Sequence, residues 1–111
     1  MNKICINHLI ITGSIKNIPF IGKTSLNKEV LSFLLSSELE FKNPLSNKIV
    51  KKFTIVNISC WGKIVEDFND ILEKNDFLYI EGHLQSNIWE NKNKKINSIV
   101  EIIADKIKKL N

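Results

Sequence analysis

The chain has no arginine: all 16 of its basic residues are lysine. Without guanidinium forks it cannot make the bidentate arginine contacts that dominate sequence-specific readout of duplex DNA, although lysines, as point charges, still suit phosphates. Cysteine is scarce as well. Cys5 and Cys60 lie far apart, each among β-formers, which argues against a disulfide framework or a zinc site. Both are expected as free thiols packed as small hydrophobes. No apolar run approaches the roughly 18 to 20 residues of a membrane helix, because Lys, Asn, Glu or Ser interrupts every candidate. The amino-terminal stretch Met1-Asn2-Lys3-Ile4-Cys5-Ile6 lacks an apolar h-region, a cleavage site and an Arg-rich presequence. The cytoplasm is therefore the expected compartment, and a processed protein of an organellar matrix would read the same way.

Catalytic signatures are missing too. His8 and His83 fall in different predicted strands with no Cys, Asp or Glu at metal-ligand spacing, and no Gly-rich phosphate loop or Gly-x-Ser-x-Gly motif occurs. No enzyme, metal or cofactor is expected. What is present is a 111-residue chain, 43% hydrophobic and 25% charged, which suits one folded domain over residues 1–111. Its net charge of +4 allows a polyanionic partner.

The hydrophobic periodicity organises the chain. Residues 4–15, rich in Ile, read as a first strand bent near Gly13, and residues 16–28, with Pro19 and Gly22, as a loop. Residues 29–41 alternate, with Leu31, Phe33, Leu35, Leu39 and Phe41 on one parity, and form a second strand. Turn chemistry at Asn43-Pro44 leads to a third strand, 51–61. From Lys63 to Lys74 the period changes: Ile64, Val65, Phe68, Ile71 and Leu72 fit one amphipathic helix of about three turns, stopped at Asn75. Period two returns over 77–89, with Leu78, Ile80, Leu84 and Ile88 on the apolar side, and a polar hairpin tip at 90–95 precedes a fifth strand, 96–107. Three strands, a helix and two strands is the element order of the OB-fold, an all-β five-stranded barrel with one helix.

The aromatics point to a surface. In the third strand Val56, Ile58 and Cys60 share one parity, while Phe53, Ile55, Asn57, Ser59 and Trp61 share the other. A small barrel has one interior, so the second set is expected outside. Trp89 has the parity of Glu81, His83 and Gln85, also the wet side. Outward aromatics beside lysines make a stacking platform for single-stranded nucleic acid. The lysines sit at loop ends: Lys42, Lys48, Lys51 and Lys52 near one turn, and Lys92, Lys94 and Lys95 at the hairpin tip, whereas the helix carries Glu66, Asp67, Asp70 and Glu73. The first strand is apolar on both parities, Ile4 and Ile6 on one and Cys5, Leu9 and Ile11 on the other, which predicts a surface covered by another copy.

Trp61-Gly62-Lys63 before the helix, and Tyr79-Ile80-Glu81-Gly82-His83-Leu84 leading to Trp89, resemble the most recognisable stretch of the bacterial single-stranded DNA-binding proteins. Glu101 to Asp105 is similar to that family's last strand, and Asn7 to Gly13 to its first. The resemblance implies sequence-independent binding of single-stranded DNA in replication, recombination and repair, near the nucleoid, by a homo-oligomer, a tetramer before a dimer. By position it places Trp61, Trp89 and Phe41 at base-stacking sites and Lys63 and Lys74 at backbone-contacting ones, with His8 where the family often has Lys. Ile55, or with a small shift Phe53, stands where the family has a further Trp, and Gln85 and Asn87 replace basic residues. The acidic tail through which the family docks replication proteins has no counterpart before Lys108-Lys109-Leu110-Asn111, so docking of such partners is not expected by that route. Two other readings fit the same surface: an adaptor resembling primosomal replication protein N, and an RNA-binding OB domain.

Overall fold

A computed structural model describes residues 3–111, so the first two positions of the expected domain lie outside the described residues. The alternation in strand β3 (Glu29–Lys42) buries Leu31, Phe33 and Leu35 completely while Ser32 and Leu34 stay half-buried on the other side. Strand β4 (Ile49–Trp61) pairs with it antiparallel along its whole length and adds Ile58 and Cys60 to the same interior. Around this hairpin stand β1 (Leu9–Ile15), β2 (Phe20–Lys23), the helix α1 (Lys63–Phe68), β5 (Phe77–Glu90) and β6 (Ile96–Lys109). The sheet order is β1-β5-β6-β4-β3-β2, and a further β1–β3 pairing, Ser14 with Ser36 and Ile15 with Leu35, closes it. The result is the expected five-stranded barrel of β1, β3, β4, β5 and β6, with β2 as a short sixth strand outside it. Ile15, Leu35, Ile58, Leu78 and Ile80 are fully buried at its centre.

Five expectations need correction. The first strand starts at Leu9 rather than residue 4, and Ile4, Cys5 and Ile6 lie exposed before it; Cys5 is therefore not packed as a small hydrophobe. The stretch 16–28 is not all loop, because Phe20–Lys23 pairs with Glu29–Ser32 as a β-ribbon. The helix is six residues rather than three turns. Asn69 and Asp70 follow Phe68, and their short polar side chains compete for backbone groups, so the chain passes into turns. Leu72 still reaches the core, but Ile71 is exposed. Leu84 and Ile88, placed on the apolar side of their strand, are exposed as well. At Gly82 the ladder shifts register by one residue, Asp105 being the extra one on β6, and beyond it the β5–β6 hairpin projects past the core. Finally, Ser59, expected among wet residues, is buried and donates to Glu101 Oε2 at 2.8 Å.

Two local devices hold these elements in place. A Cβ at Gly82 would overlap the Ile103 carbonyl oxygen, so only glycine lets β5 and β6 approach at the shift. Asp76, nearly buried, accepts from the Glu73 amide at 2.8 Å and from Lys109 Nζ at 3.3 Å, tying the turn after α1 to the end of β6.

Candidate nucleic-acid interface

Strand alternation without a bulge sets Lys51, Phe53, Ile55, Asn57, Ser59 and Trp61 on the outer side of β4. Their cross-strand partners on β3 run Glu40, Glu38, Ser36, Leu34, Ser32 and Val30, which gives one continuous outward face. Phe53 is 63% exposed, Ile55 55% and Trp61 37%. Trp61 ends β4 because Gly62 follows at φ 65°, a left-handed conformation that turns the chain into α1 and sets the indole at the rim. There it borders a cleft of about 520 Å³ with Lys28, Glu29 and Glu66. Trp89 lies opposite Asn97 near the end of the β5–β6 hairpin, 49% exposed.

Phe41 stands apart. Opposite Val50, it has the parity of the core residues, hence the other side of the β3–β4 ribbon from Trp61, Phe53 and Ile55. Lys52 Nζ lies 5.8 Å from its ring centroid, a cation–π geometry. The structure thus gathers Phe53, Ile55 and Trp61 on one face, Trp89 on the second hairpin and Phe41 on the reverse of the first.

The lysines lie in turns, at the hairpin tip and near the ends of strands and of α1. Lys48 closes the β3–β4 turn, its carbonyl accepting from Asn43 N at 2.8 Å, while Lys51 lies 3.5 Å from Glu38 Oε1 in an exposed ion pair. Lys92, Lys94 and Lys95 occupy a tip shaped by Asn91, whose Oδ1 accepts from the Asn93 and Lys95 amides at 3.0 Å each. Lys94 there has φ 60°. Lys63 opens α1, Lys74 lies in the turn before β5, and His8 lies exposed just ahead of β1. The exposed acids Glu66, Asp67, Asp70 and Glu73 gather on and after α1, so the lysine-bearing loops and the helix carry opposite charge.

Between the two hairpins lies a polar joint that the sequence did not announce. Glu101 of β6 receives Ser59 Oγ on Oε2 at 2.8 Å and Asn87 Nδ2 on Oε1 at 3.0 Å. Further along β5, the Tyr79 hydroxyl donates to Glu81 Oε1 at 2.6 Å, and that bond raises the tyrosine's pKa. Phe20 was missed because its segment read as loop; pairing with Ser32 brings it onto the outward face beside Ser59. The residue pattern Phe20-Ile21 between Pro19 and Gly22 was too short to show alternation. Among the described residues no group of three or more His, Cys, Asp and Glu is placed to hold a metal, and no helix is long and apolar enough to cross a membrane.

A five-stranded barrel with a helix between its third and fourth strands is the architecture of an OB-fold, here with aromatics on the outside of its central hairpin. A model of the Single-strand binding protein family matches residues 6–110, and the chain belongs to that family. Single-stranded DNA-binding protein 2 of Chlorobaculum tepidum is 28% identical over 107 residues, 96% of this chain and 72% of that protein. Single-stranded DNA-binding protein 1 of Staphylococcus aureus is 29% identical over 102 residues, 92% of this chain and 64% of the relative. The chain thus spans about two thirds of the length of these curated relatives. Among solved structures, "Plasmodium falciparum SSB complex with ssDNA" superposes with a TM-score of 0.87 at 22% identity, covering 100% of both chains. Wild-type single-stranded DNA binding protein from Thermus aquaticus gives 0.81 at 24% identity, covering 96% of this chain and 50% of that one. These structures share the fold.

Proposed function

We propose that this chain binds single-stranded DNA without overall sequence preference and protects it during replication, recombination and repair. The observation that carries the reading is the outward aromatic face of β4, Phe53, Ile55 and Trp61, with Trp89 on the neighbouring hairpin and lysines at both loop ends. Bases stack on the rings, and Lys48, Lys51, Lys52, Lys92, Lys94 and Lys95 neutralise phosphates. Phe41 with Lys52 extends the track around the ribbon's edge, so a strand meets it only by wrapping from one face to the other. Lys63, Lys74 and His8 serve backbone contacts. Stacking and charge neutralisation are equilibrium contacts, and the reading calls for neither turnover nor a cofactor. The compartment is where the cell's DNA lies, the cytoplasm at the nucleoid. Residues 1–111 act as one binding domain, and copies associate, a tetramer before a dimer, because Ile4 and Ile6 stand 88% and 87% exposed.

Trp61 and Trp89 are the two tryptophans of the chain, so intrinsic fluorescence reports the interface alone. Titration with poly(dT) should quench it, with weaker quenching by duplex DNA. Equal or stronger binding of poly(rU) would move the reading to RNA, and no response to any single strand would refute it.

A further inference from the structure

The outward face contains one place built for more than stacking. A depression of about 210 Å³ is lined by Asn17, Phe20, Ser32, Asn57, Ser59 and Glu101. Its floor follows from register: Phe20 lies opposite Ser32 and Ser32 opposite Ser59, so the three form a row across β2, β3 and β4 on the same side. Asn17 Oδ1 accepts from the Leu34 amide at 2.9 Å and fixes the start of the β2 ribbon over β3. Phe20, 58% exposed, offers a ring at the rim. The wall is the Glu101 carboxylate, half-buried and oriented by Ser59 and Asn87. A carboxylate has about four acceptor positions, and these two donors use one on each oxygen. Among the described residues no lysine or histidine pairs with Glu101.

A carboxylate on a surface meant for a polyanion repels phosphate unless the ligand brings donors to it. Guanine is the base whose Watson–Crick edge presents two adjacent donors, N1–H and the N2 amino group. Thymine presents one N–H between two carbonyl oxygens, which would face the carboxylate, and adenine and cytosine set one amino group beside an acceptor nitrogen. We propose that the depression between Phe20 and Glu101 is a single-base subsite that favours guanine: the base stacks on Phe20 and donates from N1 and N2 to the free positions of Glu101. The proposal rests on the reading of the chain as a single-strand binder and adds a preference at one nucleotide within an otherwise sequence-tolerant track.

The test compares oligonucleotides of equal length made of TTG repeats, of TTI repeats, in which hypoxanthine keeps N1–H and lacks the N2 amino group, and of dT alone, followed by tryptophan fluorescence. The wild-type chain should bind the TTG strand roughly fivefold more tightly than the TTI strand. Glu101→Gln, checked for an unchanged fold by circular dichroism, should abolish that difference while leaving binding to the dT strand unchanged or tighter. Equal wild-type affinity for the two repeats, or a difference that survives Glu101→Gln, overturns the subsite. The wild-type comparison holds whether or not the variant folds. Failure of the wild-type chain to bind even the dT strand would overturn the parent reading, and the subsite with it.

Discussion

Cys60 and Cys5 carry the same thiol in opposite surroundings. Cys60, on β4, is fully buried in the core, and burial pushes its pKa from an ordinary 9.0 up to about 12, whereas Cys5 is exposed ahead of β1. A thiol reagent should therefore modify one cysteine in the native protein and both after unfolding. The sign of the pH effect follows. Folding holds Cys60 neutral, so its contribution to stability is fully present below pH 9.0 and is lost as pH rises towards 12. Tyr79, raised by its hydrogen bond to Glu81, acts in the same direction. Urea midpoints should fall from neutral pH to about pH 10, and less steeply in Cys60→Val. At the interface, Trp61→Ala and Trp89→Ala should each weaken binding to oligo(dT) by about 1–3 kcal/mol, as read by fluorescence anisotropy of a labelled strand. Trp89→Ala should leave the urea midpoint unchanged, since that side chain stands on a hairpin beyond the core.

The long hairpins decide what each side chain can do. Alternation alone placed Leu31, Phe33, Ile58, Cys60, Leu78 and Ile80 in the core, because within the barrel one parity has nowhere else to go. The same rule failed for Leu39, Leu84 and Ile88, whose parity is right but whose stretch of strand has already left the barrel. Periodicity fixes which side a residue takes; how far the core extends depends on closure between strands distant in sequence. Trp61 and Ile55 were legible as outward by parity, whereas the grouping of Phe20, Ser59 and Glu101 arises from three separate pairings and could not be read along the chain. Two substitutions test the hairpins as units. Replacing Lys92, Lys94 and Lys95 together by Ala should lower the slope of log affinity against log salt by about 2, at roughly 0.7 per phosphate, with the fold intact. Gly82→Ala should cost roughly 3 kcal/mol or more in denaturant unfolding, since its Cβ collides with β6 backbone that cannot yield.

The whole molecule is wider than a compact chain of its length. Its radius of gyration is 16.9 Å, against about 13 Å expected for a sphere-like domain of this size. The excess lies in the projecting hairpins, which carry Ile49, Ile88 and Ile96 exposed. Apolar surface of this extent favours association, and light scattering at micromolar concentration should give a particle several times the 12.8 kDa chain mass; a particle of chain mass would refute the oligomer. The strand order bears on how the protein is made. β6, made after every other strand of the barrel, does not add to an edge but inserts between β5 and β4, parallel to β4 at Ile58 and Ser59. Until it emerges, a nascent chain can pair β5, β1, β3 and β4 only as an open sheet, with free edges at β5 and β4 and an incomplete core, so closure waits for β6. The emergence of β6, rather than of any earlier strand, sets the moment at which the barrel can close.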